Sequence, residues 1–566
     1  MHIANMGNKM KLCWIASSVI AVALILMVRE HLSSDILRRT HIIPIRPRLH
    51  LSQVLVRGGP EQKQVIMDSR HNGTTSASKN GSIMASGFVM TSSTLSSYEI
   101  LPNKKAFNLN DRIQVRITAR DTSGRVRHSG GDYFRAKLVS TDLMAASRSE
   151  GEIVDFNNGT YLAEFVLRWP GSASVSVMLV HGAGAVSILD RLQREHPSRA
   201  SYLGVFKRGT VRETTKCNVN HVSSLDNECD FTDREYGIPW FCQRPKNLSC
   251  KEWYWHKSDN DNMYNEQTNY LSDGEAEFFK EHKALLPCRF CKFTISTLQK
   301  SVKPDKHGRL PWQQAWNGLP KCVPAGVRKF ENSSAGYYYR DKWFSNRCRN
   351  CDFTQKEAEN CLRNKSVLLI GDSTSRILIE YLTSALKGET DKVPNCITHM
   401  TRRDLNASVY FKFHGLPTRG TNGGPKKCTS EHVATVLDHL NFVPDVFMLS
   451  VTSHFSVHSF DFFRERMRVI RKSVERLHQR HPNVLFLLKS ANTREFSKLS
   501  HILSNSEWYI YTMDRIVRET FADNPNVGFI DTWDMTAAQL HKDQIHPVKE
   551  VTRNVVNMLL SYVCPT

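Results

Sequence analysis

The feature that most constrains folding is a change of pattern after residue 363, where short unbroken apolar runs begin to alternate with amphipathic segments. Val367-Leu-Leu-Ile370, Asp445-Val-Phe-Met-Leu-Ser-Val451, Val484-Leu-Phe-Leu-Leu488 and Val527-Gly-Phe-Ile530 read as strands. The segments 373–386, 461 to about 480, 507–521 and 546–563 read as helices. A strand that is apolar on both sides needs cover on both faces, and helices supply that cover over a parallel sheet. Residues 363–566 are therefore expected to form an α/β domain with a parallel sheet. Such sheets carry their sites at the carboxyl ends of the strands.

Two motifs fall at such ends. Gly371-Asp372-Ser373 follows the first strand and opens the first helix; Asp543-Gln-Ile-His546 lies near the C-terminus. Gly371 is expected to permit a tight turn with positive φ. A helix N-terminus offers free N–H groups and partial positive charge, both suited to an oxyanion. A serine hydroxyl needs a base to become a nucleophile. His546 is the candidate base, and Asp543 the group that orients it. A turn with a helix cap, or a plain helix start, accounts for either motif alone. Their joint occurrence in one domain makes acyl chemistry the better reading.

The chain has 566 residues, which exceeds one ordinary core. Residues 12–28 form a run without charge after a short tail, 1–11. That length is at the short end for a membrane helix, about 17–25 residues. It reads as an uncleaved signal anchor, with a cleaved signal peptide as the alternative. Residues 29–85 read as a stem rich in small, polar and basic residues. Seven acceptor patterns for N-glycosylation, at Asn72, Asn80, Asn158, Asn247, Asn332, Asn364 and Asn406, support a lumenal remainder. Residues 86–200 alternate as strands do, at Arg112-Ile-Gln-Val-Arg-Ile-Thr118, Tyr161-Leu-Ala-Glu-Phe-Val-Leu167 and Ser174-Val-Ser-Val-Met-Leu-Val180. This β module reads as a spacer or binding module, because no titratable cluster appears in it.

Residues 201–362 are rich in cysteine and aromatics, with poor periodicity, so disulfides are expected to substitute for regular packing. Of 14 cysteines, Cys13 lies in the apolar run and the rest begin at Cys217. In an oxidising lumen they read as disulfides; Cys288, Cys291, Cys348 and Cys351 as a zinc site is the alternative, and no metal is expected. Trp240, Trp253, Tyr254 and Trp255 are more often core than a sugar platform. The formal charge of +21 suits an acidic partner, but no nucleic-acid module is visible and a lumenal compartment disfavours nucleic acid.

Gly371-Asp372-Ser373 with Asp543-x-x-His546 resembles the GDSL/SGNH hydrolases, and within them the PC-esterase branch. Tyr337-Tyr-Tyr339, Trp343, Cys348 and Arg376 resemble that branch too. With a β module similar to neurexophilin and filamin-type repeats, residues 86–566 resemble the neurexophilin and PC-esterase domain family. The resemblance implies a multi-domain fold: an immunoglobulin/filamin-like sandwich at 86–200, a cysteine-rich region at 201–362, and an SGNH-like, flavodoxin-like three-layer domain at 363–566. It implies O-acetylation of glycans in the Golgi through a Ser373 acyl-enzyme, with acetyl-CoA as donor and a glycan or sialoglycoprotein as acceptor. No tightly bound cofactor is implied. The placement implied is a single-pass type II protein of the Golgi lumen, with secretion as the alternative. Two functions stay open beside it: an O-acetyl esterase, and a weakly catalytic binding protein whose neurexophilin-like module meets a protein ligand.

One departure bears on activity. The family's oxyanion hole draws on two further blocks. Gly415, in Phe413-His414-Gly415, is the candidate for one. In the other, Thr452-Ser-His454 stands where the branch carries Gly-x-His, so His454 matches and Thr452 replaces the glycine. His454 and Arg376 are therefore candidate oxyanion or substrate contacts. Arg402, Arg403 and Arg419 are further candidates for an anionic group, each more often simply a solvated surface residue.

Overall fold

The computed structural model describes residues 89–259, 265–288, 290–296, 318–327, 333–392, 398–415 and 431–565, all within one compact unit, Ser82–Thr566. The tail, the 12–28 run, the stem, Asn72, Asn80, Asn332 and Arg419 lie outside the described residues. Among the described residues no helix is long and apolar enough to cross a membrane.

The first β region is two sheets packed face to face. One has the order Thr91–Leu101, Arg112–Asp121, Thr160–Val166, Glu150–Asp155. The other is built on Tyr133–Ser140 paired with Gly171–His181. Period-two alternation sends Ile113, Val115 and Ile117 inward from one sheet, and Phe134, Ala136 and Leu138 from the other. Trp169 closes this core.

The second sheet recruits strands from far along the chain. Lys292–Ser296 adds to Gly171–His181, and Gly336–Tyr339 adds to Ala145–Arg148. This explains the three successive tyrosines. Tyr337 and Tyr339 point into the sandwich core, while Tyr338 joins the core of the C-terminal domain with Trp343. One short strand thus belongs to two cores.

Residues 202–258 are more regular than their sequence suggests. They form a five-stranded sheet ordered Glu228–Asp230, Phe241–Gln243, Val211–Asn218, Tyr202–Arg208, Trp253–Ser258. Cys217–Cys242 and Cys229–Cys250 brace it, so disulfides reinforce a sheet here and do not replace one. Trp240 is buried in its core, Trp253 stacks on Phe231 at 4.5 Å, and Tyr254 is exposed. Cys348 bonds to Cys322, so the four cysteines weighed for zinc are not four thiols. Among the described residues Cys288 and Cys291 form no disulfide.

The C-terminal domain holds a seven-stranded mixed sheet ordered Glu389–Lys392, Thr398–Arg402, Ala407–Phe413, Ser366–Gly371, Val446–Ser450, Leu485–Lys489, Val527–Ile530. The last five are parallel, whereas the first two run antiparallel at one edge, which the expectation of a parallel sheet did not include. Val367 and Leu369 pack on one face under the helices Ser373–Leu386 and Lys549–Val563. Leu368 and Ile370 pack on the other under Phe460–Arg480 and Glu507–Phe521. Ser366–Gly371 is flanked by Ala407–Phe413 on one side and by Val446–Ser450 on the other, and later strands add beyond Val446–Ser450, so the order reverses at this strand. The crevice at its carboxyl end is where such sheets bind ligands.

Cys361–Cys564 spans 203 residues and ties the helix Gln355–Leu362 to the chain's end. Closing a loop of that length is worth about 2–5 kcal/mol. Cys361→Ala with Cys564→Ala is expected to lower Tm by roughly 5–15 °C in a thermal melt.

Candidate active site

Gly371 ends its strand where two parts of the chain converge. A Cβ there would lie 2.4 Å from the Ser450 carbonyl oxygen and 2.4 Å from Ser375 Oγ. Its φ is not among the positive ones, so close approach, and not a left-handed turn, requires glycine. Asp372 caps the helix: its Oδ1 accepts from Thr374 N at 2.8 Å and Thr374 Oγ1 at 2.6 Å. Its Oδ2 accepts from Ser453 N at 3.1 Å. Burial alone would raise this carboxyl, but His454, Lys489 and the Thr374 hydrogen bond hold it well below the ordinary range.

Ser373 is the first helical residue, and its N–H has no intrahelical acceptor. Its Oγ lies 2.8 Å from His546 Nε2. His546 stands on the loop before Lys549–Val563, since the last helix starts later than its apolar pattern suggests. The imidazole is held below its ordinary pKa by burial against the site and then by the Arg376 guanidinium. It is therefore neutral at pH 7 and able to accept the hydroxyl proton.

Asp543 does not meet His546. Its Oδ2 accepts from Arg135 Nη2 at 2.5 Å and Lys283 Nζ at 2.7 Å; its Oδ1 accepts from Thr493 Oγ1 at 2.8 Å and Gln539 Nε2 at 3.3 Å. Burial would raise this carboxyl, but Arg135 and Lys283 pull it far down. Asp543 thus lies on the same loop as His546 without bonding its imidazole, contrary to the expectation that it orients the ring. The loop is also tied by Asn492, whose Nδ2 donates to the Ile545 carbonyl at 3.1 Å.

Of the oxyanion candidates, Gly415 is diverted: its N–H donates to the Glu431 carbonyl at 2.8 Å. His454 Nδ1 lies 2.9 Å from His414 Nε2, and the substituted block gives its Ser453 N–H to Asp372. Arg376 Nε sits 3.1 Å from Glu380 Oε1, and its guanidinium acts on His546. Arg402 is committed to Glu359 and Asp404, and Arg403 lies 3.7 Å from Glu389, away from the site.

Several groups at the site carry no sequence signal. Lys489 is buried under the turn, with Nζ 3.3 Å from Thr374 Oγ1 and from Ser450 Oγ. Burial pushes its pKa down to about 8, against the pull of Asp372 and Asp514. Arg494, fully buried, donates to Ser453 Oγ at 2.8 Å. Each reads in sequence as an ordinary charge after an apolar run. Of the glycosylation candidates, Asn158, Asn247, Asn364 and Asn406 are exposed.

Residues 343–564 match the family described as NXPE family member 4-like, C-terminal domain, and residues 74–281 match the neurexophilin family. These are the families the motifs resembled, and the first match contains Ser373 and His546. Among solved structures, a filamin domain of Lin-41 is 18% identical over 16% of this chain and 82% of its own, with a TM-score of 0.13. FdeC, an Escherichia coli adhesin, is 12% identical over 30% of this chain and 59% of its own, also with a TM-score of 0.13. Scores this low do not define a shared fold.

Proposed function

From a chain that joins a neurexophilin region to an NXPE-type, PC-esterase-like domain, we propose a lumenal carbohydrate O-acetyltransferase that works through a Ser373 acyl-enzyme. The observation that carries this reading is the 2.8 Å approach of Ser373 Oγ to neutral His546. Ser373 Oγ attacks the thioester carbonyl of acetyl-CoA while His546 takes its proton. The thiolate leaves with that proton. His546 then takes the proton of a sugar hydroxyl, whose oxygen attacks the acyl carbonyl; the bond to Ser373 Oγ breaks and His546 returns the proton to that oxygen. The Ser373 N–H at the helix N-terminus faces the developing oxyanion. The acceptor in this proposal is a sialoglycan, whose carboxylate suits Arg376, and the placement is the Golgi lumen. Four disulfides among the described residues support an oxidising compartment, lumenal or secreted.

Water in place of the sugar makes the same site an O-acetyl esterase. The diversion of the Gly415 N–H favours a third reading, a weakly catalytic binding protein, because losing one oxyanion donor costs about 10²–10³ in rate. Full-length protein with acetyl-CoA and sialylated acceptors separates the three. Acetylated sugar from wild type but not from Ser373→Ala supports transfer, and free acetate alone supports hydrolysis. Equal product from both proteins removes Ser373 as nucleophile. Because His546 titrates below its ordinary value of about 6.5, the acid limb of kcat/KM is expected to lie below that pH. An acid limb at or above that value counts against His546 as the base.

A further inference from the structure

The strand Tyr133–Ser140 turns alternate side chains in opposite directions. Phe134, Ala136 and Leu138 face the sandwich core. Tyr133, Arg135 and Lys137 face the C-terminal domain: Tyr133 meets the helix Glu507–Phe521, and Arg135 and Lys137 reach residues 539–543, which lead to His546. Tyr133 stacks on Tyr511 at 5.4 Å. Arg135 lies 3.2 Å from Glu507 Oε1 and 2.5 Å from Asp543 Oδ2. Lys137 Nζ donates to the Gln539 carbonyl at 2.8 Å.

Lys283 reaches the same place from another part of the chain, with Nζ 2.6 Å from Glu507 Oε2 and 2.7 Å from Asp543 Oδ2. The four side chains are 16%, 3%, 0% and 7% exposed for Arg135, Lys283, Glu507 and Asp543. Two cations and two anions balance out of water. In a low dielectric such a set holds its geometry tightly, and removing one member leaves a buried charge without its counterion. Asp543 sits three residues before His546, so whatever holds Asp543 holds the loop that carries the base.

We propose that the N-terminal β-sandwich is a positioning component of the catalytic site, in which Arg135 and Lys283 fix His546 against Ser373 through Asp543. This rests on the reading of Ser373 and His546 as an acyl-transfer pair. It makes the sandwich more than the spacer or binding module its sequence suggests. It also makes Asp543 an anchor of the loop, with its charge already neutralised, and not a direct partner of the imidazole.

The test uses full-length protein and a fluorophosphonate probe, which needs no knowledge of donor or acceptor. Ser373 Oγ forms a bond to phosphorus, fluoride leaves, and the proton passes to His546. The labelling rate is measured against pH, with thermal melts to establish the folded fraction. Arg135→Met with Glu507→Gln removes one charge of each sign and leaves Lys283 paired with Asp543. It is expected to slow labelling at the high-pH plateau by about tenfold or more, with the pH midpoint unmoved, since the imidazole keeps its own surroundings. Arg135→Lys is expected to recover most of that loss. Lys283→Met with Glu507→Gln gives the same reading from the other cation, should the first pair melt below assay temperature. Asp543→Asn is expected to lower the plateau and leave the midpoint in place.

Wild-type labelling by both charge-balanced variants overturns the proposal. So does an Asp543→Asn midpoint that falls while the plateau holds, because that marks a carboxylate acting on the ring itself. His546→Ala distinguishes the two levels. If it labels as fast as wild type, the acyl-transfer reading fails; if it is slowed and the sandwich variants are not, only the positioning role fails.

Discussion

Ser373→Ala is expected to reduce acyl transfer by on the order of 10⁴–10⁶, and His546→Ala by a similar factor. The double variant should lose little more than either single one. In the proposed mechanism the two groups, 2.8 Å apart, act as one unit: the hydroxyl is a poor nucleophile without the base, and the base has nothing to deprotonate without the hydroxyl. Initial rates of acetate or acetyl-sugar formation for the four proteins check this. Additive losses, with the double variant at the product of the two single effects, mean that the residues act in separate steps, and the catalytic pair dissolves. Both side chains are at least partly accessible and outside the packed cores, so the melting temperatures of all four are expected to agree closely.

Arg518→Met is expected to destabilise the fold by about 3–5 kcal/mol, the cost of stripping the cation from a buried ion set. Arg518 Nε donates to Asp514 at 2.7 Å, and Nη1 and Nη2 donate to Asp531 at 2.9 Å and 2.6 Å. The side chains of Arg518, Asp514 and Asp531 are all but fully buried. Asp531 also caps the helix Thr532–Ala538 at the carboxyl end of the last strand, so the damage reaches the segment before the loop that carries His546. A Tm lower by roughly 6–20 °C is expected. The deficit has a pH signature. Burial already raises the Asp514 carboxyl, and loss of Arg518 raises it further, whereas Asp531 keeps Arg347 at 3.2 Å. A carboxyl raised in the folded state binds protons preferentially there, so stability is gained as pH falls. The gap between variant and wild type should narrow from pH 7 to pH 5. A constant gap means that lost packing, not stranded charge, dominates.

The C-terminal sheet was legible because its central strands are apolar on both sides, and that pattern admits few other structures. Val367 through Ile370 alternate between two cores, as a doubly covered strand must. The edge strand Glu389-Thr-Asp-Lys392 gave no such signal, because an edge strand next to solvent needs no apolar run. The sheet at 202–258 was hidden for a related reason. Val211–Asn218 is mostly polar, with Cys217 its one buried residue, and the strand is held by its neighbours and by Cys217–Cys242.

At the site, Ser373 and His546 could be picked out as candidates from residue order alone, because strand–Gly-Asp-Ser–helix is a local pattern and Asp-x-x-His is its usual companion. What Asp543 contacts could be read only from the folded chain. Its two cations lie 408 and 260 residues away in sequence, one on an alternating strand and one in a turn. Arg135 reads as any outward polar residue, since alternation tells which side of a strand a side chain takes and not what stands opposite. Buried charge compensation is a property of converging surfaces. It becomes visible only when the sandwich and the catalytic loop are seen against one another.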